Sequence, residues 1–239
     1  MIIFPAIDLY ESKAVRLYKG DYSAMTVYEE DVPALALRFK AAGATHMHMV
    51  DLEGARTGDT PNEALVAQVV QASGLFVQLG GGIRSFETIE RYLAAGVARV
   101  ILGTAAVTQA GFAAEAVSRY GEKVAVSVDV REGLVAVKGW TESTPYTCFE
   151  FCDSMRDAGV QTIICTDISK DGAMSGTNLA LYGELCARYD MNIIASGGVD
   201  SLDAVRALGE TGAYGAIIGK AYYTGAVDLA ASVELAKTV

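Results

Sequence analysis

The chain has 239 residues, of which 51% are hydrophobic and 20% are charged, and its formal net charge is −10 at pH 7. Such an acidic protein is a poor partner for nucleic acid, because phosphate backbones attract a basic surface. No apolar run approaches the roughly 18 residues that a membrane span needs, and the N-terminus lacks the basic stretch of a signal peptide. These features predict a cytoplasmic protein with neither a nucleic-acid nor a membrane partner.

The cysteines and histidines do not suggest a metal site. The four cysteines form no CxxC pair, and no histidine stands at zinc-ligand spacing from them. His46 and His48 cannot form a metal site by themselves. We therefore expect reduced thiols and no bound metal.

Short β-rich segments alternate with helical segments along the whole chain. The predicted strands are residues 2–8, 46–52, 76–79, 99–102, 124–129, 162–167, 192–195 and 215–218. The predicted helices are residues 33–42, 62–72, 86–95, 111–120, 149–158, 179–189, 202–208 and 227–235. Apolar strands separated by helices indicate a parallel sheet that is buried on both faces. We predict an α/β fold, a (βα)8 TIM barrel, with residues 1–239 as a single domain because no linker divides the chain.

The sequence also repeats itself at a nearly constant offset. Segments 48–52, 78–83 and 100–105 match segments 164–168, 194–199 and 216–221, each pair separated by 116 residues. Segment 5–9 (PAIDL) matches 126–130 (VSVDV) at an offset of 121 residues. Four matches in the same order indicate two duplicated half-barrels, of about residues 1–121 and 122–239.

Asp8 and Asp129 end the first and fifth predicted strands. Active sites of this architecture lie at the carboxyl ends of the strands, and the duplication places the two aspartates across the barrel mouth from each other. Two carboxylates that face one substrate can act as general base and general acid if their environments separate their pKa values. Each aspartate could instead cap the segment that follows it, but the symmetric pair favours catalysis.

Glycine-rich turns follow the third, fourth, seventh and eighth predicted strands. Glycine lets the backbone approach a ligand closely, and the helix start that follows supplies N–H donors for an anion. A turn role would explain any single glycine, but both halves carry the same turns. We therefore predict two phosphate sites and a substrate with a phosphate at each end. The residues predicted for these sites are Gly81, Gly82, Gly103, Thr104, Gly176, Gly197, Gly198, Gly219 and Lys220.

Three further polar residues are candidates for substrate binding. Asp51 and Asp167 end the second and sixth predicted strands, and we predict that they hold substrate hydroxyls. His48 alternates with apolar residues on its strand. It either points into the barrel, towards Asp8 or the substrate, or is a core histidine.

The segments between the strands supply two more candidates. Arg16, on a possible hairpin at 14–17, either reaches the site or forms a surface ion pair. Trp140, the only tryptophan, lies in the segment 131–144, predicted to be a loop, and either stacks on a ligand ring or packs on a helix. Polar, glycine-bearing loops are predicted to close over the site as lids. They are residues 19–26, 55–60, 139–144 and 170–177.

Eight short motifs resemble the phosphoribosylformimino-aminoimidazole-carboxamide ribotide isomerase family of histidine biosynthesis. They span nearly the whole chain in the family's order. The motifs are PAIDL (5–9), AVRL (14–17), HMVDL (48–52), GGGIR (80–84), VDV (128–130), GW (139–140), TDISKDG (166–172) and SGG (196–198). The family resemblance implies a half-barrel-duplicated enzyme with a bis-phosphorylated small-molecule substrate.

The resemblance also implies a chemistry, an Amadori rearrangement of an aminoaldose to an aminoketose without metal or organic cofactor. In that scheme Asp129 protonates the ribose ring oxygen, and Asp8 then removes the proton from C2′. His48, Thr166 and Asp167 match family positions that assist catalysis or hold the substrate. Family members are often monomeric, and we expect a monomer here.

Trp140 matches a family aromatic residue that packs on the ligand when the loop after the fifth strand closes.

Three alternative functions stay open. The sister cyclase has the same plan, but it opens with PCLDV and a Lys-Gly where this chain has PAIDL and AVRL. Relatives that also isomerise phosphoribosylanthranilate tend to read SGGIR where this chain reads GGGIR. A catalytically silent phosphosugar-binding barrel would gain little from two aspartates beside an anionic ligand.

Overall fold

Eight parallel strands form a closed ring in the computed structural model, which describes residues 1–18 and 20–239. The strands of these residues are β1 (Ile2–Tyr10), β2 (Lys13–Tyr18), β3 (Asp21–Glu29), β4 (His46–Asp51), β5 (Phe76–Gly80), β6 (Arg99–Leu102), β7 (Val124–Arg131), β8 (Leu134–Val137), β9 (Glu142–Thr147), β10 (Thr162–Asp167), β11 (Asn192–Ser196) and β12 (Gly215–Ile218). The ring runs β1-β4-β5-β6-β7-β10-β11-β12, and β12 pairs with β1 to close it. The predicted barrel is confirmed.

Helices connect the ring strands and cover the outside of the barrel. They are α1 (Val32–Ala41), α2 (Leu52–Thr57), α3 (Glu63–Ser73), α4 (Phe86–Ala94), α5 (Thr104–Thr108), α6 (Phe112–Tyr120), α7 (Cys148–Asp157), α8 (Leu179–Arg188), α9 (Leu202–Glu210), α10 (Lys220–Tyr223) and α11 (Leu229–Ala236), with a 3-10 turn at Gly121–Lys123. Every predicted strand and helix is present, with ends within two residues of the prediction. No helix of the described residues is both long and apolar enough to cross a bilayer.

The halves of the barrel repeat each other in local detail as well as in order. Ser85 caps α4 by accepting a hydrogen bond from the Thr88 amide, and Ser201 caps α9 in the same way from the Ala204 amide. The two serines are 116 residues apart, the offset of the sequence repeat. A side-chain cap of this kind stabilises a helix by about 1 kcal/mol, so both halves fix the helix after their third strand by the same contact.

The apolar residues form two layers, one between strands and helices and one inside the ring. The inner layer consists of Phe4, Ala6, Ile101, Ala125, Ile164, Ile194 and Ile217. These side chains fill the barrel interior as a packed core, so a ligand has room only between this core and the carboxyl ends of the strands. The space that remains opens at the carboxyl ends of the ring strands.

Two hairpins leave the ring at equivalent places. The strands β2 and β3 follow β1, and β8 and β9 follow β7. The prediction that 131–144 is a loop was wrong, because the apolar segment Leu134–Val137 forms a strand that pairs with β7, and Glu142–Thr147 pairs with it in turn. Most of the predicted lid 19–26 likewise belongs to β3, while Lys19 lies outside the described residues.

Candidate active site

The carboxyl ends of the ring strands surround a cavity of about 280 Å³. Asp8 lies on β1 and Asp129 on β7, which are four strands apart in either direction around the ring. The two aspartates therefore stand on opposite sides of the mouth, as the sequence repeat predicted. Fourteen of the predicted site residues line this cavity: Asp8, Arg16, His48, Gly81, Gly82, Gly103, Thr104, Asp129, Trp140, Thr166, Gly197, Gly198, Gly219 and Lys220.

Asp8 is held in an ion pair inside the mouth. The hairpin returns beside β1 with Val15 opposite Asp8, and the next residue, Arg16, donates from Nη1 to Asp8 Oδ2 over 2.8 Å. Their side chains are only 15% and 14% exposed, so this is not a surface ion pair. Burial opposes the guanidinium charge, but the field of Asp8 and other acidic groups leaves the pKa of Arg16 raised. Arg16 thus stays charged and orients the Asp8 carboxylate.

His48 lies beside this pair as a neutral donor. Burial, together with the charge of Arg16, lowers the pKa of His48 to about 3. Its Nδ1 is 3.2 Å from the amide nitrogen of Gln78, and Arg99 in turn donates to the Gln78 amide oxygen over 3.4 Å. Since Nδ1 accepts from Gln78, the ring proton belongs on Nε2, where it can be donated to a ligand in the mouth.

Asp129 is covered by the second hairpin. Trp140 lies at its turn and donates from Nε1 to Asp129 Oδ2 over 2.9 Å. Burial raises the pKa of Asp129, although hydrogen bonds from Trp140 and Thr166 lower it in part. The turn of the first hairpin meets the same indole, because a Cβ on Gly20 would lie 3.0 Å from Trp140 Cε3. The carboxyl of Asp129 is therefore desolvated, and its pKa lies above that of a solvated aspartate.

A third carboxylate, Asp171, reaches the mouth, and the sequence reading did not single it out. Burial raises its pKa to about 6, with the negative charges of Asp8 and Asp129 adding to the effect and the positive charges of Arg16 and Lys220 opposing it. It belongs to a polar turn after β10, where an aspartate is usually solvated. The signal that could have found it is its place within the TDISKDG motif.

We expect Asp171→Asn to stabilise the fold above about pH 6. The pKa of Asp171 is about 6 in the folded state and about 3.9 in an unfolded chain, so folded protein loses stability as pH rises between these values. Asparagine does not ionise and avoids that loss, which at about 1.4 kcal/mol per pH unit amounts to at most about 3 kcal/mol. Urea unfolding of both proteins should show this gain at pH 8 and not at pH 4. An equal difference at both pH values would contradict the assignment.

The paired glycines serve the packing of neighbouring loops. Gly81 and Gly82 have φ values of 107° and 76°, and Gly197 and Gly198 have 99° and 74°. A Cβ on Gly82 would lie 2.0 Å from the Gly54 carbonyl oxygen. A Cβ on Gly198 would lie 2.1 Å from that of Gly176. Packing within the protein therefore requires glycine in each pair, whether or not a ligand binds there.

Gly219 needs glycine for a different reason. A Cβ there would lie 2.1 Å from Arg16 Nη2, so the guanidinium occupies the space a side chain would fill. The Arg16 side chain thus fits between Asp8 and the turn that begins α10. Lys220, at the start of α10, donates from Nζ to the Gly172 carbonyl oxygen over 2.9 Å. This contact joins the turn after β12 to the segment that carries Asp171.

Three predicted site residues lie outside the mouth. Asp51 is fully buried and accepts hydrogen bonds from the Gly54 amide, Asn62 and Tyr92. Asp167 and Gly176 do not line the cavity either, and Asp167 is bonded within its own turn and to the start of α8. Asp51 and Asp167 therefore do not reach the mouth, because neighbouring protein groups already bond their carboxylates, while a substrate contact at Gly176 stays a prediction.

Several lining residues were missed by the sequence reading. Arg84 and Asp200 are 116 residues apart and follow the two glycine pairs, so the duplicated positions carry opposite charges. Arg84 donates to the Ala55 carbonyl oxygen over 2.6 Å, while Asp200 accepts from the Gly176 amide over 2.9 Å. Aligning the two halves could have revealed this difference. The other missed lining residues with polar side chains are Tyr22, Ser127, Lys138, Lys170 and Ser196.

A family model for histidine biosynthesis proteins matches residues 2–228. The chain belongs to the histidine biosynthesis protein family. A relative from Chloroflexus aurantiacus is 46% identical over 236 residues, covering 99% of this chain and 98% of its own length. A relative from Oceanobacillus iheyensis is 47% identical over 229 residues, covering 96% of this chain and 95% of its own.

Both of these members of the histidine biosynthesis family are named 1-(5-phosphoribosyl)-5-((5-phosphoribosylamino)methylideneamino)imidazole-4-carboxamide isomerase. A relative from Clostridium botulinum with the same name is 43% identical over 235 residues, covering 98% of this chain and 97% of its own. The family resemblance read from the sequence is confirmed. These names describe an isomerase of a molecule with two phosphoribosyl groups.

Proposed function

We propose that this protein is the aldose–ketose isomerase that converts N′-(5′-phosphoribosylformimino)-5-aminoimidazole-4-carboxamide ribonucleotide to its phosphoribulosyl form, in histidine biosynthesis. The observation that carries this proposal is the position of Asp8 and Asp129 on opposite strands of the ring. A glycine-rich pair of turns lies in each half of the mouth between them. A substrate with a phosphate at each end would then present its middle to both aspartates.

Each half offers donors for one phosphate. In the first half these are the turns after β5 and β6, with Arg84 and Thr104 beside them, and in the second half the turns after β11 and β12, with Lys220. The helices α5 and α10 begin at Thr104 and Lys220, so their first amides face the mouth as anion donors. An acidic protein can bind phosphates in this way because the donors are local.

The proposed reaction opens the ribose ring and shifts a proton from C2′ to C1′. Asp129, whose pKa is raised by burial, donates a proton to the ring oxygen as the bond from C1′ to that oxygen breaks. Asp8 accepts the proton from C2′ of the resulting Schiff base and leaves an enolamine. Asp8 then returns its proton to C1′ while the O2′ proton passes to the Asp129 carboxylate, which gives the aminoketose and regenerates both aspartates.

The surrounding residues separate the roles of the two aspartates. Arg16 keeps Asp8 oriented by its ion pair, while Trp140 and the second hairpin cover Asp129. Burial, with the charges of Asp8 and Asp129, raises the pKa of Asp171 to about 6, so Asp171 is a third group in the mouth that can exchange a proton near neutral pH. The neutral His48 is placed to donate from Nε2 to a substrate hydroxyl.

A turnover assay with the purified protein tests this function. We expect conversion of the formimino ribonucleotide, with products separated by ion-exchange chromatography, and no conversion of phosphoribosylanthranilate. Turnover of both substrates would identify a bifunctional isomerase. Binding of the formimino substrate without conversion would identify a silent phosphosugar-binding barrel and would reject the proposal.

A further inference from the structure

The two halves of the barrel share a buried pair formed by an aspartate and an asparagine. Asn62 donates to Asp51 over 2.9 Å, and Asn178 donates to Asp167 over 2.7 Å. Both asparagines stand 11 residues after their aspartates, and 178 minus 62 is 116, the offset of the repeat. The aspartate–asparagine hydrogen bond is thus duplicated, and its two copies can be compared within one molecule.

In the second half the pair controls a turn. Asp167 Oδ2 accepts from Asn178, while Oδ1 accepts from the Ser169 amide over 2.9 Å and from the Ser169 hydroxyl over 2.6 Å. The Asp167 carbonyl oxygen accepts from the Lys170 and Asp171 amides over 3.0 and 3.1 Å. Side chain and main chain of Asp167 therefore hold residues 168–171, and that turn delivers Asp171 to the mouth.

In the first half the corresponding pair does not position a carboxylate in the mouth. Asp51 accepts from the Gly54 amide and from Tyr92, and the segment that follows is the helix α2. No carboxylate side chain of α2 lines the cavity in the described part of the chain. The first-half pair is therefore a structural counterpart without a link to proton transfer.

We propose that Asn178 is a positioning residue for the isomerase reaction, which acts through Asp167 to hold the turn that brings Asp171 into the mouth. This inference rests on the proposed function. Asp167 is 8% exposed, so loss of the amide donor leaves a buried carboxylate oxygen without its partner. The turn can recover a partner only by moving, and Asp171 moves with it.

The variant Asn178→Asp removes this hydrogen-bond donor. Asn178 also caps α8, since its Oδ1 accepts from the Leu181 amide over 3.2 Å, and aspartate is an equally good cap. The substitution keeps that acceptor, but it replaces the donor to Asp167 by a second carboxylate, so it adds a negative charge as well as removing the hydrogen bond. We expect kcat to fall by about 10-fold to 100-fold, the size of effect that follows a misplacement of about 1 Å. Asn178→Ser, which caps the helix without adding charge, is a second variant if the first folds poorly.

The reciprocal double variant provides the sharpest control. In Asp167→Asn with Asn178→Asp, the new amide can donate to the new carboxylate, while its oxygen still accepts from Ser169. We expect this exchange to recover kcat to within about threefold of wild type, because both the net charge and the hydrogen bonds are retained. Asn192→Asp, at the amino end of β11 and away from the mouth, is the control for the added charge, and its kcat should stay within about threefold of wild type.

Two further measurements show whether Asn178 acts through Asp171. In an Asp171→Asn background, Asn178→Asp should cause no additional loss of kcat, because the group it positions is already gone. The carboxyl carbon resonance of Asp171 should titrate near pH 6 in wild type, shift in Asn178→Asp and return in the reciprocal variant. Wild-type kcat in Asn178→Asp and Asn178→Ser, no recovery in the exchange, or an equal loss in Asn192→Asp would each overturn the proposal. An inactive wild type with the expected titrations would instead reject the proposed function.

Discussion

Replacing Asp8 by asparagine should lower kcat by about 10²-fold to 10⁴-fold, the usual contribution of a positioned general base. Asparagine has nearly the same shape, and its amide oxygen can still accept the hydrogen bond that Arg16 donates over 2.8 Å. What it cannot do is accept the C2′ proton. We therefore expect KM to change by less than about fivefold, since the phosphate turns lie elsewhere in the mouth.

The control for Asp8→Asn is Asp203→Asn, an equal change of charge on the exposed first turn of α9. Its kcat should lie within about twofold of wild type. Single-turnover measurements should show that Asp8→Asn binds substrate and fails to form product. A wild-type kcat in Asp8→Asn would remove this residue from the role of base. A large rise in KM with unchanged kcat would make it a binding residue instead.

The ring and its opposed aspartates could be predicted because they depend on patterns within single segments. Continuous apolar runs predicted the strands, and the repeat of 116 residues fixed their order and symmetry. The hairpins were harder to predict, because β3 and β9 are largely exposed and β8 has only four residues. The ion pair between Asp8 and Arg16 depends on the register of the first hairpin, which no single segment determines.

The error at Asp51 has a simple geometric cause. Successive side chains of a strand point to opposite faces, and the burial of β4 alternates through Asp51. His48 and Val50 line the mouth, so Asp51, an odd number of residues from His48, faces the helices. The same rule separates Thr166, in the mouth, from its neighbour Asp167. Parity along the strand would have predicted both outcomes from the sequence.

The environment of Asp171, in contrast, could not be predicted from its own segment of the sequence. Its pKa depends on burial in the assembled mouth and on the charges of residues distant in sequence, including Arg16 on the first hairpin and Lys220 at the start of α10. Composition of the turn 168–171 alone predicts a solvated carboxylate. The perturbed pKa of a mouth residue therefore requires the assembled barrel, whereas the position of a strand-end aspartate does not.

Gly82→Ala should destabilise the protein far more than Gly111→Ala. The two glycines have φ values of 76° and 77°, so alanine suffers the same backbone strain at both, about 1–2 kcal/mol. At Gly111 a Cβ meets nothing within 4 Å, whereas at Gly82 it would lie 2.0 Å from the oxygen and 2.4 Å from the carbon of the Gly54 carbonyl. The difference in stability between the two variants therefore measures the contact between the turn that contains Gly82 and the segment that contains Gly54.

Gly54 has little room to retreat from a new methyl group. Its amide donates to the buried Asp51 carboxylate over 2.9 Å. A Cβ on Gly54 itself would lie 2.9 Å from the Asp59 carbonyl oxygen, so the far side is closed as well. We therefore expect Gly82→Ala to lower the free energy of unfolding by more than about 4 kcal/mol, a loss that only specific local defects cause. Urea unfolding followed by far-ultraviolet circular dichroism measures it.

Gly198→Ala should repeat the large effect in the second half, because its φ is 74° and its Cβ would lie 2.1 Å from the Gly176 carbonyl oxygen. If Gly82→Ala and Gly111→Ala lose the same stability, the requirement at position 82 is only for a left-handed backbone. If Gly82→Ala and Gly198→Ala both exceed Gly111→Ala, the glycine pairs are needed to seat each turn against the loop before it. Phosphate binding would then use amides whose direction is already fixed by loop packing, so the free protein presents both anion sites ready-formed.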